Sequence, residues 1–265
     1  MNPRIQDWRN QRVWVIGASS GIGAETARLL LQKGARVMLS ARRLEQLLLV
    51  TDAVRQSSTT DHPAGQALTS VVDVTEHATV LAARDAMLAA WGGIDLVLVV
   101  AGSYNEMRAD QFDLAAARSL VNLNVMGVFN CLDAVLPTLL AQGSGAIGLV
   151  SSVAGFRGLP KALIYGPTKA AVINLAECLY LDLRPRGIGV SLINPGFVDT
   201  PLTANNDFSM PGLMSAADAA GEIVRGLERG QFHIHFPRSF TNWLRLARLL
   251  PYSLYFWLIH KGTGL

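Results

Sequence analysis

Short apolar runs alternate with amphipathic stretches along most of the chain. Val13-Trp14-Val15-Ile16 ends at a glycine and is followed by Ile22, Ala27, Leu29 and Leu30 at helical spacing up to Gly34, which predicts strand, tight turn and helix. The same alternation recurs, with 36–40 as strand, about 44–56 as helix, 68–72 as strand, 76–91 as helix and 96–100 as strand. Farther on, 111–140 predicts one long helix, 146–151 a strand, 166–183 a helix, 188–193 a sixth strand, and 216–227 with 232–236 a final helix and strand. Such alternation implies parallel βαβ units. The expected fold is therefore α/β, a doubly wound parallel sheet of about seven strands (a Rossmann fold) in a single domain.

Two stretches break the rhythm. Residues 199–215 hold Pro201, Asn205, Asn206, Pro211 and Gly212 with little periodicity, which suits a loop or short mobile helices over the carboxyl ends of the strands, placed to act as a substrate lid. From Thr241 onward Trp243, Leu244, Leu246, Leu249, Leu250, Leu254, Tyr255, Phe256, Trp257, Leu258 and Ile259 crowd together. This tail includes Arg245, Arg248 and Pro251 and falls short of the roughly 20 uninterrupted apolar residues that a bilayer crossing needs.

Composition narrows the picture. A chain of 265 residues, half hydrophobic and 16% charged, suits one domain whose sheet is covered on both faces. The net charge of +3, with a pI near 9.1, is spread along the chain, so no nucleic-acid partner is expected. Cys131 and Cys178 both fall in apolar, helix-like stretches where a buried free thiol is the ordinary expectation. Arg4, Arg9 and Arg12 have no apolar run between them, so no signal peptide is expected and the setting should be the reducing cytoplasm.

The candidate chemistry begins at the first turn. Gly17, Gly21 and Gly23, with Ala18, Ser19, Ser20 and Ile22 between them, lie after a strand and before a helix, where small residues let the backbone approach a pyrophosphate and the helix N-terminus attracts its charge. At the end of the second strand, where dinucleotide folds that prefer NAD place a carboxylate, the run is Ser40-Ala41-Arg42-Arg43. Two readings fit these arginines: a fork for a 2′-phosphate, which favours NADP, or the solvated start of a helix. Asp73-Val74 is placed to cap a helix or to accept from an adenine amino group. Ala101-Gly102 and Pro195-Gly196, the latter continuing through Val198 to Thr200, are small turns at strand ends that can lie against a cofactor ribose and carboxamide.

Tyr165 and Lys169 stand four apart on a predicted helix, which puts them on one face a turn apart, and Ser152 ends the fifth strand. A phenol titrates near pH 10, so a neighbouring ammonium helps it work as a general acid and base, and a serine hydroxyl can orient a substrate oxygen toward it. With these motifs in place, the chain resembles the short-chain dehydrogenase/reductase family along nearly its whole length. The resemblance is carried by Gly17 to Gly23, Asp73-Val74, Ala101-Gly102, Asn124-Val125-Met126-Gly127, Ser151 to Gly155, Tyr165 to Lys169 and Asn194-Pro195-Gly196. It implies a tetrad in which Tyr165 is the acid and base, Lys169 lowers its pKa and holds the nicotinamide ribose, Ser152 orients the carbonyl, and Asn124 holds a water that links Lys169 to solvent. It also implies homodimers or homotetramers formed through the helices that carry Asn124 and Tyr165. The chain departs from the family pattern twice. Ile16 stands where a threonine is usual, and Val99-Val100 where two asparagines are usual, so differences are expected in the ties of the turn and in the ribose contacts.

These readings combine into one expectation. Residues 1–240 form a dinucleotide-binding catalytic body with 199–215 as its substrate loop, and 241–265 are an apolar tail of the same domain. The body binds NADP(H), calls for no metal, and passes hydride to or from a small apolar carbonyl or alcohol. Tyr104, Phe156, Leu159, Leu163, Phe197, Leu202 and Phe208 are expected to line the substrate pocket, with Arg157 and Lys161 as solvated loop residues or anion contacts. The tail suits either packing on protein or a peripheral membrane contact through 243–259. A non-catalytic NADPH-binding protein that docks through its tail is the alternative from another class.

Overall fold

A computed structural model describes residues 1–57, 65–204 and 210–263. Strands β1 (Arg12–Ile16), β2 (Arg36–Ala41), β3 (Ala67–Val71), β4 (Leu96–Val99), β5 (Gly145–Val150) and β6 (Ile188–Pro195) precede a two-residue ladder of β7 (Val198–Asp199) and β8 (Met214–Ser215) and a last strand, β9 (His233–Phe236). Seven of them form one sheet in the order β3-β2-β1-β4-β5-β6-β9, and every pair is parallel. The order reverses between β1 and β4, which opens a crevice at the carboxyl ends of these strands.

Side chains alternate along each strand and feed two apolar layers. Trp14, Val97 and Val99 pack on one face with helices α3 (His77–Trp91), α5 (Gly127–Gln142) and α6 (Tyr165–Leu183). Val13, Val15, Leu96 and Leu98 pack on the other with α1 (Gly21–Gln32), α2 (Leu44–Ser57) and α7 (Ala216–Glu228). Burial on both faces explains why the strands read as continuous apolar runs.

The predicted long helix over 111–140 divides. It starts as α4 (Leu114–Val121), capped by the Asp113 carboxylate, which accepts from the amides of Ala115 and Ala116 at 2.8 and 3.1 Å. It then widens into a π turn over Asn122–Met126 and continues as α5. By length and composition the run Leu114–Gln142 could cross a membrane, yet Cys131, Val135 and Leu139 on it belong to the sheet core. Cys178 corrects the sequence reading. Cys131 is buried, but Cys178 lies on the exposed side of α6.

The loop at 199–215 is tied at both ends by pairing of Val198 with Met214 and of Asp199 with Ser215. Asn205, Asn206 and Phe208, read as part of this loop or of the pocket, lie outside the described residues. The tail folds as two helices, α8 (Arg238–Ala247) and α9 (Tyr252–Thr263), parted at Pro251, so the boundary expected at 240/241 falls inside a helix. Arg157 is neither solvated nor an anion contact. Its guanidinium donates to the carbonyls of Ala247, Arg248 and Leu250 at 3.4, 3.1 and 2.6 Å, at the end of α8 and in the link to α9. It also lies over the rings of Tyr252 and Tyr255, 4.5 and 4.2 Å from their centroids. The Tyr255 hydroxyl donates to the Gly158 carbonyl at 2.7 Å, so the tail is fastened to the loop that follows β5. Lys161 is paired with Glu106 at 3.0 Å.

Candidate active site

The turn between β1 and α1 is shaped by backbone crowding. Gly17 has φ +96°, and a Cβ there would stand 2.6 Å from the Ala101 nitrogen, while one on Gly23 would overlap the Gly17 carbonyl. Ser20 is the N-cap of α1 with extended backbone, and its hydroxyl makes no cap bond, so it leaves the first-turn amides to a ligand. The family departures at Ile16 and Val99-Val100 leave the turn well tied by backbone. The Gly17 amide donates to the Ser40 carbonyl at 2.7 Å, and the amides of Val100 and Ala101 donate to the Ile16 carbonyl at 2.8 and 2.9 Å.

From this turn a cleft of about 310 Å³ runs across the carboxyl ends of the strands. Its far end is lined by Arg42, Arg43, Asp73 and Val74. Both arginines are exposed and precede α2, whose first residue is Leu44. Asp73 does not cap α3, as the sequence had allowed. Its carboxylate accepts from the amide and hydroxyl of Thr75 at 2.9 and 2.7 Å, short of the helix. Burial pushes this carboxyl up, but the bonds from Thr75 and the charge of Arg42 outweigh it and hold the group below its ordinary value.

The other end holds the phenol, the ammonium and the hydroxyl. Tyr165 opens α6, and Lys169 lies one turn on, its Nζ 5.7 Å from the phenol ring centroid and donating to the Val150 carbonyl at 3.2 Å. Ser151 pins this helix to β5 by donating to the Lys169 carbonyl at 2.7 Å. Ser152 is held through its own carbonyl, which accepts from Nδ2 of the buried Asn194 at 2.8 Å. Burial pushes the Tyr165 phenol up to about 12, partly opposed by a hydrogen bond from Ser152, and pushes Lys169 down to about 8. The resemblance implied a phenol lowered by Lys169. Burial is the largest influence on the phenol here.

Asn124 sits in the π turn behind the cleft. Its Oδ1 accepts from the Ser103 amide at 2.9 Å, while its Nδ2 donates to the Ser103 carbonyl at 2.9 Å and to the Thr168 hydroxyl at 3.1 Å. A Cβ on Gly102 would stand 3.2 Å from both Asn124 Oδ1 and Lys169 Nζ, so the glycine keeps that corner open.

A second, mostly apolar cavity of about 720 Å³ adjoins the first, and Ser152, Tyr165, Gly196, Leu202 and Thr203 line both. Of the pocket residues expected from sequence, Tyr104, Leu159, Phe197 and Leu202 line it. Phe156 and Leu163 do not: Phe156 packs edge-on against His233, and Leu163 is exposed. Trp243, Leu244, Leu258 and Ile259 from the tail complete the wall, in keeping with the expectation that the tail packs on protein.

The cleft gathers Gly17, Ser19, Ser20, Gly21, Ile22, Gly23, Arg42, Arg43, Asp73, Val74, Ala101, Gly102, Ser152, Tyr165, Lys169, Pro195, Gly196, Val198 and Thr200, all anticipated from sequence, and leaves Asn124 just outside. It also includes Ser103, Leu123 and Thr203, which the motifs had not singled out. A tight glycine turn beside an uncapped helix start, continuous with an elongated cleft, fits a dinucleotide. Fold and site together define a dinucleotide-dependent oxidoreductase. A family model for short chain dehydrogenase matches residues 11–209, and the chain belongs to that family.

Known proteins agree with this assignment. The chain is 37% identical over 241 residues to an uncharacterized oxidoreductase of Myxococcus xanthus, covering 91% of this chain and 93% of that protein. It is 32% identical over 215 residues to another from Staphylococcus saprophyticus, covering 81% and 90%. Among solved structures, a short chain dehydrogenase/reductase from Burkholderia phymatum in complex with NAD superposes with a TM-score of 0.82 at 24% identity, covering 92% and 94% of the two chains. An alcohol dehydrogenase from Thermococcus sibiricus complexed with 5-hydroxy-NADP gives a TM-score of 0.75 at 22% identity, covering 84% and 94%. Both share the fold.

Proposed function

We propose that the protein is an NADP(H)-dependent carbonyl reductase or alcohol dehydrogenase acting on an apolar ketone, aldehyde or secondary alcohol. The observation that carries this reading is the position of Tyr165 and Ser152 at the junction of the cleft that starts at the glycine turn and an apolar cavity. A nicotinamide bound in the cleft supplies or accepts the hydride. Ser152 donates a hydrogen bond to the carbonyl oxygen, and Tyr165 gives that oxygen its proton. A phenol pushed up to about 12 is protonated at neutral pH, as a proton donor must be. Lys169, held near 8, keeps its charge there. That charge, one helical turn away, favours the phenolate that proton transfer leaves behind.

Arg42 and Arg43 at the far end, with no carboxylate closing β2, support the 2′-phosphorylated cofactor. The exposed apolar side chains of α4 and α5, Leu114, Val121 and Phe129, suit pairing of two or four copies. A cytoplasmic location belongs to the same reading.

The test is NADPH oxidation over a panel of apolar ketones and aldehydes by the wild type and Tyr165→Phe. Turnover by the wild type that drops 10²- to 10⁴-fold in the variant, with NADPH affinity kept within about twofold, is the expected outcome. Tight NADPH binding with no turnover in either form would leave a cofactor-binding protein instead.

A further inference from the structure

The two tail helices form a wall one layer thick. Their inner side chains, Trp243, Leu244, Leu258 and Ile259, line the apolar cavity, whereas Leu246, Tyr252, Phe256 and Trp257 on the same helices, and Leu249 in the link between them, are each more than half exposed. Large apolar side chains gathered this way on a surface are seldom left in water.

Charge indicates what covers them. Residues 238–263 contain Arg238, Arg245, Arg248 and Lys261 and no aspartate or glutamate, so the tail helices are purely basic. A second copy meeting this surface across a twofold axis would bring like charge against like charge. An anionic lipid surface brings the complement, about 1 kcal/mol for each Arg or Lys near it. Aromatic residues beside basic ones, as with Trp257 under the Lys261 ammonium at 5.2 Å, are also the composition that seats a helix at the headgroup level.

We propose that α8 and α9 dock the protein on an anionic bilayer, and that its substrate is a lipid-dissolved ketone or secondary alcohol entering the cavity through this wall. The docking stands on the surface itself. The substrate class rests on the reductase reading given above.

The experiment pairs the full chain with a Leu249→Glu, Trp257→Glu double variant, whose altered side chains face away from the cavity. Both are floated with vesicles of phosphatidylcholine, with and without phosphatidylglycerol, and assayed with NADPH on a short water-soluble ketone and on a long-chain ketone held in the vesicles. The expected results are binding of the wild type that requires phosphatidylglycerol, at least tenfold weaker binding of the variant, equal turnover of the soluble ketone, and loss of turnover of the vesicle-held ketone in step with binding. Equal flotation of the two forms, or none by either, overturns the docking. So does a wild-type oligomer that ignores vesicles and is dispersed by the substitutions. Loss of both ketone activities to the same degree overturns lipid delivery. Flotation without turnover of any carbonyl overturns the reductase reading and supports the docking alone.

Discussion

Under the proposed function, Arg42 is the side chain that sets cofactor choice. It stands at the exposed end of the cleft, and its charge also acts on Asp73 across the same corner. A fork of donors there stabilises a 2′-phosphate through charge-assisted bonds, whereas a carboxylate would prefer free ribose hydroxyls. Arg42→Asp is expected to weaken NADPH binding by roughly tenfold to a hundredfold, matching the 1.5–3 kcal/mol typical of such bonds, and to leave NADH binding equal or tighter. Fluorescence titration with each coenzyme measures both, and parallel losses for the two would contradict the assignment. Most of the cleft could be read at this scale, because Gly17, Gly23, Tyr165 and Lys169 owe their roles to local spacing. Asn124 could not. Its role depends on bonds to Ser103 and Thr168, which lie distant in sequence and meet it only through the π turn.

At the level of elements, strand and helix alternation foretold the sheet closely, since burial on both faces leaves a strong apolar signal. The tail was harder, because its apolar residues divide between cavity and surface according to a partner supplied by Arg157. An isolated arginine in a loop carries no pattern that announces three carbonyl acceptors some 90 residues away. Arg157→Ala should loosen α8 and α9 while sparing the nucleotide cleft. Faster amide exchange across 252–263, and a KM for apolar substrates raised several-fold at unchanged NADPH affinity, are the expected outcomes. Unaltered exchange would show that the clamp holds nothing.

Across the whole molecule, the last strand joins the tail to the sheet through a histidine pair that affects stability. Burial, followed by the charges of His235, Arg245 and Arg248, pushes His233 from 6.5 down to about 4, and its Nε2 is buried without a hydrogen-bond partner. Because the folded value lies below the unfolded one, the unfolded chain takes up this proton first as pH falls. Stability is therefore full above about pH 6.5 and drains between there and about 4. That difference corresponds to about 3 kcal/mol, reduced to about 2 because the ring keeps some solvent contact. Urea unfolding at stepped pH should show that loss, and His233→Gln should flatten it. An unchanged slope in the variant would assign the loss to other groups. The chemistry itself is tested most directly by deuterium. NADPH carrying deuterium in both C4 positions of the nicotinamide, turned over with an apolar ketone, should place the label on the carbinol carbon in the wild type and leave none there in Tyr165→Phe over the same interval. Label absent from the wild-type product, or appearing equally fast without the phenol, would contradict hydride transfer completed by Tyr165.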